Sequence, residues 1–532
     1  MRVRVRVLVR AAHPDPPGDK VGPVTEKPAD PDSAAATDTE DPFEDVPEQV
    51  RIRREKYDRL MADPERAPFP VQVQRTHTLA AVRTAFPDLA ADEVTGVQVG
   101  VTGRVIFVRN SGKLCFATLR EGGVELQAML SLAKIGPDAL AAWKSDVDLG
   151  DQIFITGEII SSRRGELSVL ADSWRMTAKA LRPLPVAHKP MSEEARVRQR
   201  YVDLIVRPEA RSMVETRAAV IRSLRSTLES RSYLEVETPV LQTIHGGAAA
   251  RPFHTHLNAF DMPMSLRIAL ELPLKRCIVG GIEKVFEIGR IFRNEGVDST
   301  HSPEFTMLEA YEAYGDYNTM AELTRTLILD AARAVDITHP LAHNGDVIDL
   351  FADWRWVTLH DAVSEAVGQP VSPDTSLDQL RDCAQRFGVA LKPDWEAGDV
   401  VLELFEKLVE HTLIQPTFVC DYPRSVKPLA RTHRSDPRLA EAWDLIIGGV
   451  EIAPAYSELV DPVEQRWLLV EQSMAAAAGD AEAMELDEDF LQALEFGMPP
   501  TGGMGLGVDR LVCLLTGKGI RETILFPLLR PL

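Results

Sequence analysis

The spacing of hydrophobic and polar positions changes three times along the chain, and each change predicts an element boundary. From Glu48 to Leu60, EQVRIRREKYDRL carries Val50, Ile52, Tyr57 and Leu60 as a thin apolar stripe on a charged helix. Between Val97 and Met176 the period falls to two. VQVGVTGRVIFVRN, KLCFATLR, VELQAML, DQIFITGEIISS and ELSVLADSWRM are β-rich runs separated by Gly, Asp and Ser turns. Five such strands predict a small Greek-key barrel over residues 95–180, preceded by a helical segment at 47–94. After a basic connector at 181–204, helical period returns in VETRAAVIRSLRSTLESR and ends near Arg231. Residues 205–532 then read as one large domain mixing helices and strands, so the fold class is α+β and multi-domain.

Within that domain YLEVETPVL is a strand interrupted by Pro239, which implies an edge or a bulge. EKVFEIGRIFRNEG at 283–296 and EFTMLEAYEAY at 304–314 form a long-looped antiparallel hairpin. Alternation puts Phe305, Met307, Glu309 and Tyr311 on one face, and solvated faces are seldom built from Phe, Met and Tyr. The stretch 331–408 is helical pattern broken by Pro and Gly and carries no chemistry. A second hairpin, AWDLIIGGVEIAPAYSEL at 442–459, turns at Gly448-Gly449. Strict register sets Asp444 opposite Ala453 and makes Asp444 and Glu451 diagonal neighbours. They are either two independent solvated acids or a pair around a hard cation such as Mg²⁺. The block GMPPTGGMGLGVDRLVCLLTG at 497–517 places five glycines before a helix starting near Val508. Its glycines let a flat ligand or a phosphate reach the backbone, and Arg510 enters the first helical turn. No GKS/T follows, so this is not a Walker loop.

Composition narrows the function classes. Acidic residues number 80 and basic ones 59, giving a net charge of −21 that argues against an indiscriminate nucleic-acid coat. The longest apolar runs, Ala475–Gly479 and 510–517, fall far short of the ~20 residues of a membrane helix, so no membrane role is expected. The five cysteines are far apart with no CxxC, which predicts reduced thiols in a cytoplasmic protein. Residues 1–46 open on Arg-Val repeats and pass into a Pro/Asp/Ala/Thr mixture that predicts a disordered tail. The best-known small Greek-key barrel binds oligonucleotides through exposed aromatics and polar strand residues.

FRNEG, HSPEF and LEAYEAY together with GGMGLGVDR resemble motifs 2 and 3 of class II aminoacyl-tRNA synthetases, and YLEVETPVL resembles motif 1. GGAAARPF at 246–253, the RIALEL run, SELVDP and the terminal IRETILFPLLRP are similar to the lysyl-tRNA synthetase branch, in its actinobacterial form. The resemblance covers 49–532. It implies an N-terminal five-stranded OB-type barrel that binds the anticodon. A catalytic domain follows, built on an antiparallel sheet flanked by helices. The implied reaction activates L-lysine with ATP and passes it to the 3′ end of tRNA(Lys), in a homodimer using Mg²⁺. Arg293, Glu295, His301, Phe305 and Arg510 would hold ATP, with Arg293, Glu295 and Arg510 as the catalytic set. Gly247, Glu271, Glu309, Tyr311, Tyr456 and Glu458 would receive lysine, whose ammonium tolerates burial only among acceptors. Asp444 and Glu451 match the magnesium carboxylates, the first of which is commonly Glu. Phe116, Gln127, Arg109 and Glu166 match the anticodon contacts, although Phe116 also reads as barrel core.

Two departures stand out. RIALELP moves proline from before Glu271 to Pro273, which implies a displaced wall, and Pro454 stands where many members carry Asn. Strict alternation also turns Pro454, Tyr456 and Glu458 away from Glu451, a conflict that a bulge near Pro454 would resolve. These changes imply weakened or shifted lysine selectivity, as in a divergent second copy beside a housekeeping enzyme. The alternatives are a ligase paralogue with a non-tRNA acceptor and a catalytically weak tRNA- or amino-acid-binding regulator.

Overall fold

The computed structural model describes residues 47–185, 190–298, 301–343, 345–477 and 484–531. The expected tail at 1–46 lies outside the described residues. The chain divides into a first unit reaching to Pro183, except for 120–125, and a second that takes 120–125 and everything from Leu184.

In the first unit α1 (Glu48–Met61) and α2 (Leu79–Ala85) precede a closed barrel of β1 (Val94–Ser111), β2 (Leu114–Glu121), β3 (Val124–Ser131), β4 (Gln152–Ser161) and β5 (Leu167–Ala178). Its strand order is β1-β2-β3-β5-β4, closed by β4 on β1, and β3 and β5 run parallel. The helix α3 (Pro137–Asp146) fills the β3–β4 connection. Period two is explicit in the burial: Cys115, Ala117 and Leu119 on β2 and Leu126, Ala128 and Leu130 on β3 are buried. The expected stripe of α1 holds at Val50, Tyr57 and Leu60, which are buried or half-buried, but not at Ile52. Ile52 is 41% exposed, while Arg53 and Leu60 are buried. Arg53 turns inward because its guanidinium donates to the carbonyls of Ala180 and Leu149 at 2.9 Å each, which repays the burial of its charge.

The second unit is built on an eight-stranded sheet: β6 (Leu234–Glu235), β7 (Lys284–Phe292), β8 (Glu304–Ala313), β9 (Arg355–Thr358), β10 (Thr417–Pro423), β11 (Leu439–Ile447), β12 (Val450–Ser457) and β13 (Thr501–Gly507). Their order is β9-β10-β11-β12-β13-β8-β7-β6. The sheet is mixed rather than wholly antiparallel, because β9 on β10 and β6 on β7 are parallel pairs at the two edges. The YLEVETPVL run is cut accordingly. It yields only β6 before Pro239, and the Leu241–Gln242 strand after it joins a separate three-stranded sheet. Among the helices of this unit, four position the site: α4 (Pro208–Ser230), α5 (Glu271–Val279), α6 (Tyr317–Arg333) and α7 (Val508–Thr516). Val220 and Leu224 of α4, Leu323 and Leu327 of α6 and Leu511 of α7 pack on Phe286, Leu308, Leu445 and Met504 of the sheet. With that face closed by helices, the alternate residues of the same strands point to the opposite face. There lies the site.

Candidate active site

On β8, Leu308 and Ala310 enter the core, so Phe305, Met307, Glu309 and Tyr311 line a cavity of about 310 Å³ on the other side. On β11 the same division buries Trp443 and Leu445 against the helices and turns Asp444 to the cavity. The β11–β12 register corrects the sequence expectation: Asp444 pairs with Pro454 rather than Ala453. Leu445 faces Ala453 and Ile446 faces Glu451, leaving Ile452 as an extra residue. This bulge resets the alternation, so Glu451, Pro454, Tyr456 and Glu458 all line the same cavity. Pairing of β12 with β13 begins at Ala455, which leaves the missing donor of Pro454 outside that ladder.

Every residue expected at the ATP, lysine and metal positions borders this one cavity, including Gly247, Glu271, Arg293, Glu295, His301 and Arg510. At one end Arg293 lies with its guanidinium 5.3 Å from the Phe305 ring centre and donates to the Ile268 carbonyl at 3.2 Å. Burial pulls its pKa down while Glu295, Glu451 and Glu309 oppose the shift. Glu295 and His301 are exposed on the β7–β8 loop, where Glu295 accepts from the Arg251 N–H and His301 meets the Asp298 carboxylate at 2.9 Å. Arg510, in the first turn of α7, donates to the Glu451 carbonyl at 2.6 Å. The helix is anchored by its neighbour Asp509, a buried carboxylate that accepts from the Thr306 N–H at 2.6 Å and from Arg217 at 2.5 Å.

The other end is a buried acidic pocket. Glu271, Glu309 and Glu458 are at most 6% exposed, and Tyr311 donates to Glu309 at 3.1 Å. Glu309 also accepts the Leu270 N–H at 2.9 Å; burial, together with the Glu271 charge, pushes its pKa up to about 7. Glu271 borders the cavity, and Pro273 sits in the first turn of α5, where no intrahelical N–H bond is due. Gly247 has φ +87°, and a Cβ there would stand 3.0 Å from that of Glu271. A Cβ at Gly503 would fall on the Glu458 carboxylate and the Tyr311 ring, so the glycine on β13 makes room for both.

Two lysines that pair with these acids escape the sequence reading. Lys275 is fully buried, 2.6 Å from Glu271 and 2.5 Å from Glu458. Burial alone would lower its pKa, but the two carboxylates raise it and keep the ammonium charged. Its signal was available, since it lies four residues after Glu271 on a helix. Lys427 approaches both Asp444 oxygens, at 3.0 and 3.1 Å. No local spacing announces that contact. The expectation that Asp444 and Glu451 share a magnesium ion therefore meets a donor set already engaged by Lys427 and Arg510. Among the described residues no group of three or more His, Cys, Asp or Glu is placed to hold a metal. These residues do not fit a protein-held ion.

On the barrel, Phe116 is only partly buried and alternates with the core residues Cys115 and Ala117, so it is not core. Gln127 donates to Ser168 at 2.9 Å, Arg109 is exposed, and Glu166 pairs with Arg83 at 3.1 Å. Phe107, 53% exposed and two residues from Arg109, is an aromatic that the sequence reading passes over.

The family described as tRNA synthetases class II (D, K and N) matches residues 192–530, and the OB-fold nucleic acid binding domain matches 99–177. The chain is 58% identical over 499 residues to lysine–tRNA ligase 1 of Mycobacterium tuberculosis, covering 92% of this chain and 99% of that protein. It is 58% identical over 492 residues to the lysine–tRNA ligase of Kineococcus radiotolerans, covering 92% of this chain and 98% of that one. With the lysylphosphatidylglycerol biosynthesis bifunctional protein LysX of Nocardia farcinica it shares 51% identity over 491 residues, 91% of this chain but 43% of that protein.

Proposed function

The chain belongs to the class II tRNA synthetases of the D, K and N group, and on that premise we propose that it joins L-lysine to its tRNA, converting ATP to AMP and diphosphate. The observation that carries the reading is a single cavity with Arg293, Phe305 and Arg510 at one end and three buried carboxylates at the other. In the first step the lysine carboxylate attacks the α-phosphorus of ATP, the new O–P bond forms and the bond to the β-phosphate breaks. No protein nucleophile is required; the work is alignment and neutralisation of the charge that builds on phosphate oxygens. Arg293 and Arg510 supply that neutralisation, and Phe305 offers the adenine a flat surface. In the second step a hydroxyl of the terminal tRNA ribose attacks the lysyl carbonyl and AMP leaves.

Glu309 is the acid left for the substrate ammonium, since Lys275 already engages Glu271 and Glu458. An incoming cation would draw the proton from Glu309 and bind its carboxylate. Members of the family use ATP with Mg²⁺, and in this reading the ion arrives on the phosphates. Phe116, Phe107, Arg109 and Gln127 would meet unpaired anticodon bases, and Glu166 would stand at their margin. The exposed Leu234, Val240 and Leu241 around Pro239 suit a two-fold interface between copies. No helix among the described residues is long and apolar enough to cross a membrane, and the reaction belongs in the cytoplasm with the tRNA pool.

The test is amino-acid-dependent ATP–pyrophosphate exchange over the twenty amino acids and ornithine, followed by charging of tRNA(Lys). Strong exchange with lysine alone is the expected result. Exchange with another amine only, or none with any, would overturn the assignment.

A further inference from the structure

Lys427 reaches Asp444 from the segment after β10, 17 positions earlier in the chain, and its surroundings are built for a cation. Its Nζ lies 3.0 and 3.1 Å from the two Asp444 oxygens, 4.3 Å from the centre of the Tyr422 ring and 5.5 Å from that of Tyr456. Tyr422 is fully buried, and the Lys427 and Asp444 side chains are 15% and 12% exposed. One carboxylate and two aromatic faces are the usual reception for an ammonium. The second carboxylate, Glu451, faces the Arg510 guanidinium at 3.8 Å. Glu406 and Glu410 also come close enough to interact electrostatically with Glu451. The position thus receives a cation, and the chain supplies it.

We infer that the Lys427 ammonium occupies the seat that the family resemblance gives to a divalent cation between Asp444 and Glu451, so that this site takes its nucleotide without an ion held by Asp444. The inference rests on the synthetase reading for the meaning of that seat. An Asp at 444 in place of the commoner Glu agrees with it, because the shorter acid leaves the length of the lysine side chain to fill the gap. Lys427 is a positioning residue here: it fixes Asp444, and it keeps a positive charge on the wall of the cavity that Arg293 and Arg510 also line.

The experiment counts ions rather than turnover, so its outcome is separable from that of the exchange assay. Mn²⁺ is titrated, with its EPR signal as the readout of the free ion, into the full-length protein alone and into protein saturated with AMP. Wild type and Lys427→Met are compared, with circular dichroism as the check that the variant is folded. Removing a positive charge about 3 Å from the two Asp444 oxygens strengthens cation binding there, on the order of tenfold or more. The expected result is therefore a Mn²⁺ site in Lys427→Met that wild type lacks and that Asp444→Asn, added to it, abolishes. Identical Mn²⁺ uptake by wild type and Lys427→Met overturns the inference, as does a wild-type Mn²⁺ site that Asp444→Asn removes. Should Lys427→Met not fold, Lys427→Gln, which retains a polar end without the charge, is read by the same criterion.

Discussion

Replacing Lys275 by methionine removes the ammonium shared by two buried carboxylates while keeping most of the side chain's volume. Glu271 and Glu458 then line the vacated position, 2.6 and 2.5 Å from where the ammonium stood, with Glu309 in the same pocket. Deleting one partner of a buried ion pair costs about 3–5 kcal/mol when the remaining charge stays ionised. In wild type the folded-state pKa of Lys275 is raised, so its contribution is complete below the ordinary lysine value and is lost only as pH rises through the higher folded value. Between pH 5.5 and 8 it is constant. In wild type burial already raises both carboxyls, Glu458 to about 8, with Lys275 acting to lower them; in the variant that lowering is gone and mutual repulsion drives their folded pKa values further up. A carboxyl raised in the folded state holds a proton that the unfolded chain releases. Stability therefore falls as pH climbs above the ordinary glutamate value, by about 1.4 kcal/mol per pH unit for each carboxyl, until the folded value is passed. The penalty of Lys275→Met is thus smaller at pH 5.5 than at pH 8, where it approaches about 3–5 kcal/mol. Calorimetric Tm values for wild type and variant at both pH values measure it, and Glu458→Gln in the variant background should recover part of the loss at pH 8. A Tm gap that is the same at pH 5.5 and pH 8 would refute the reasoning.

Other consequences are equally direct. Because the Glu309 pKa is pushed up to about 7, the KM for lysine in pyrophosphate exchange should fall by up to about tenfold between pH 6 and 7 and level off above it; Glu309→Gln should flatten that profile and raise KM throughout, and a flat wild-type profile counts against the assignment. Pro454→Asn restores a side-chain amide at the cavity wall, worth about 1–3 kcal/mol if it meets the substrate; a lysine KM lower by several-fold is expected, and an unchanged KM would show that position 454 does not face lysine. Asp509→Asn removes the charge that ties α7 to Thr306 and Arg217; a loss of about 2–3 kcal/mol in stability should come with reduced kcat as Arg510 loosens, whereas unaltered Tm and kcat would contradict it. Phe116→Ala should leave exchange untouched, since Phe116 lies in the other unit, yet weaken tRNA binding in a filter assay by about 1–3 kcal/mol; equal tRNA affinity would remove Phe116 from the recognition surface.

What the sequence makes legible here is whatever a local period controls. The barrel follows from alternating burial on β1–β5, and the cavity face of β8 follows from the two-residue repeat of Phe305, Met307, Glu309 and Tyr311. The parallel pairing of β3 with β5 has no local signature, because it depends on how five strands close on themselves. Period-based reading fails at two kinds of place. One extra residue, Ile452, inverts every face assignment after it, and only the pairing partner reveals the insertion. A charged residue that finds buried acceptors moves to the inside, as Arg53 does on α1 in defiance of the apolar stripe. The lysines show the same limit in graded form. Lys275 meets Glu271 within one helix, so the four-residue spacing was readable, but its second partner Glu458 comes from the far end of β12 and was not. Lys427 meets Asp444 across strands with no spacing rule at all. A site inferred from its acids alone is therefore overcounted in charge. The resemblance supplied five carboxylates for substrate and metal, yet three of them, Glu271, Glu458 and Asp444, already pair with lysines brought by the fold. The acids left to meet a ligand's cation are Glu309 and, where Arg510 yields it, Glu451. In the proposed function those two would set the electrostatics for lysine selectivity and nucleotide binding.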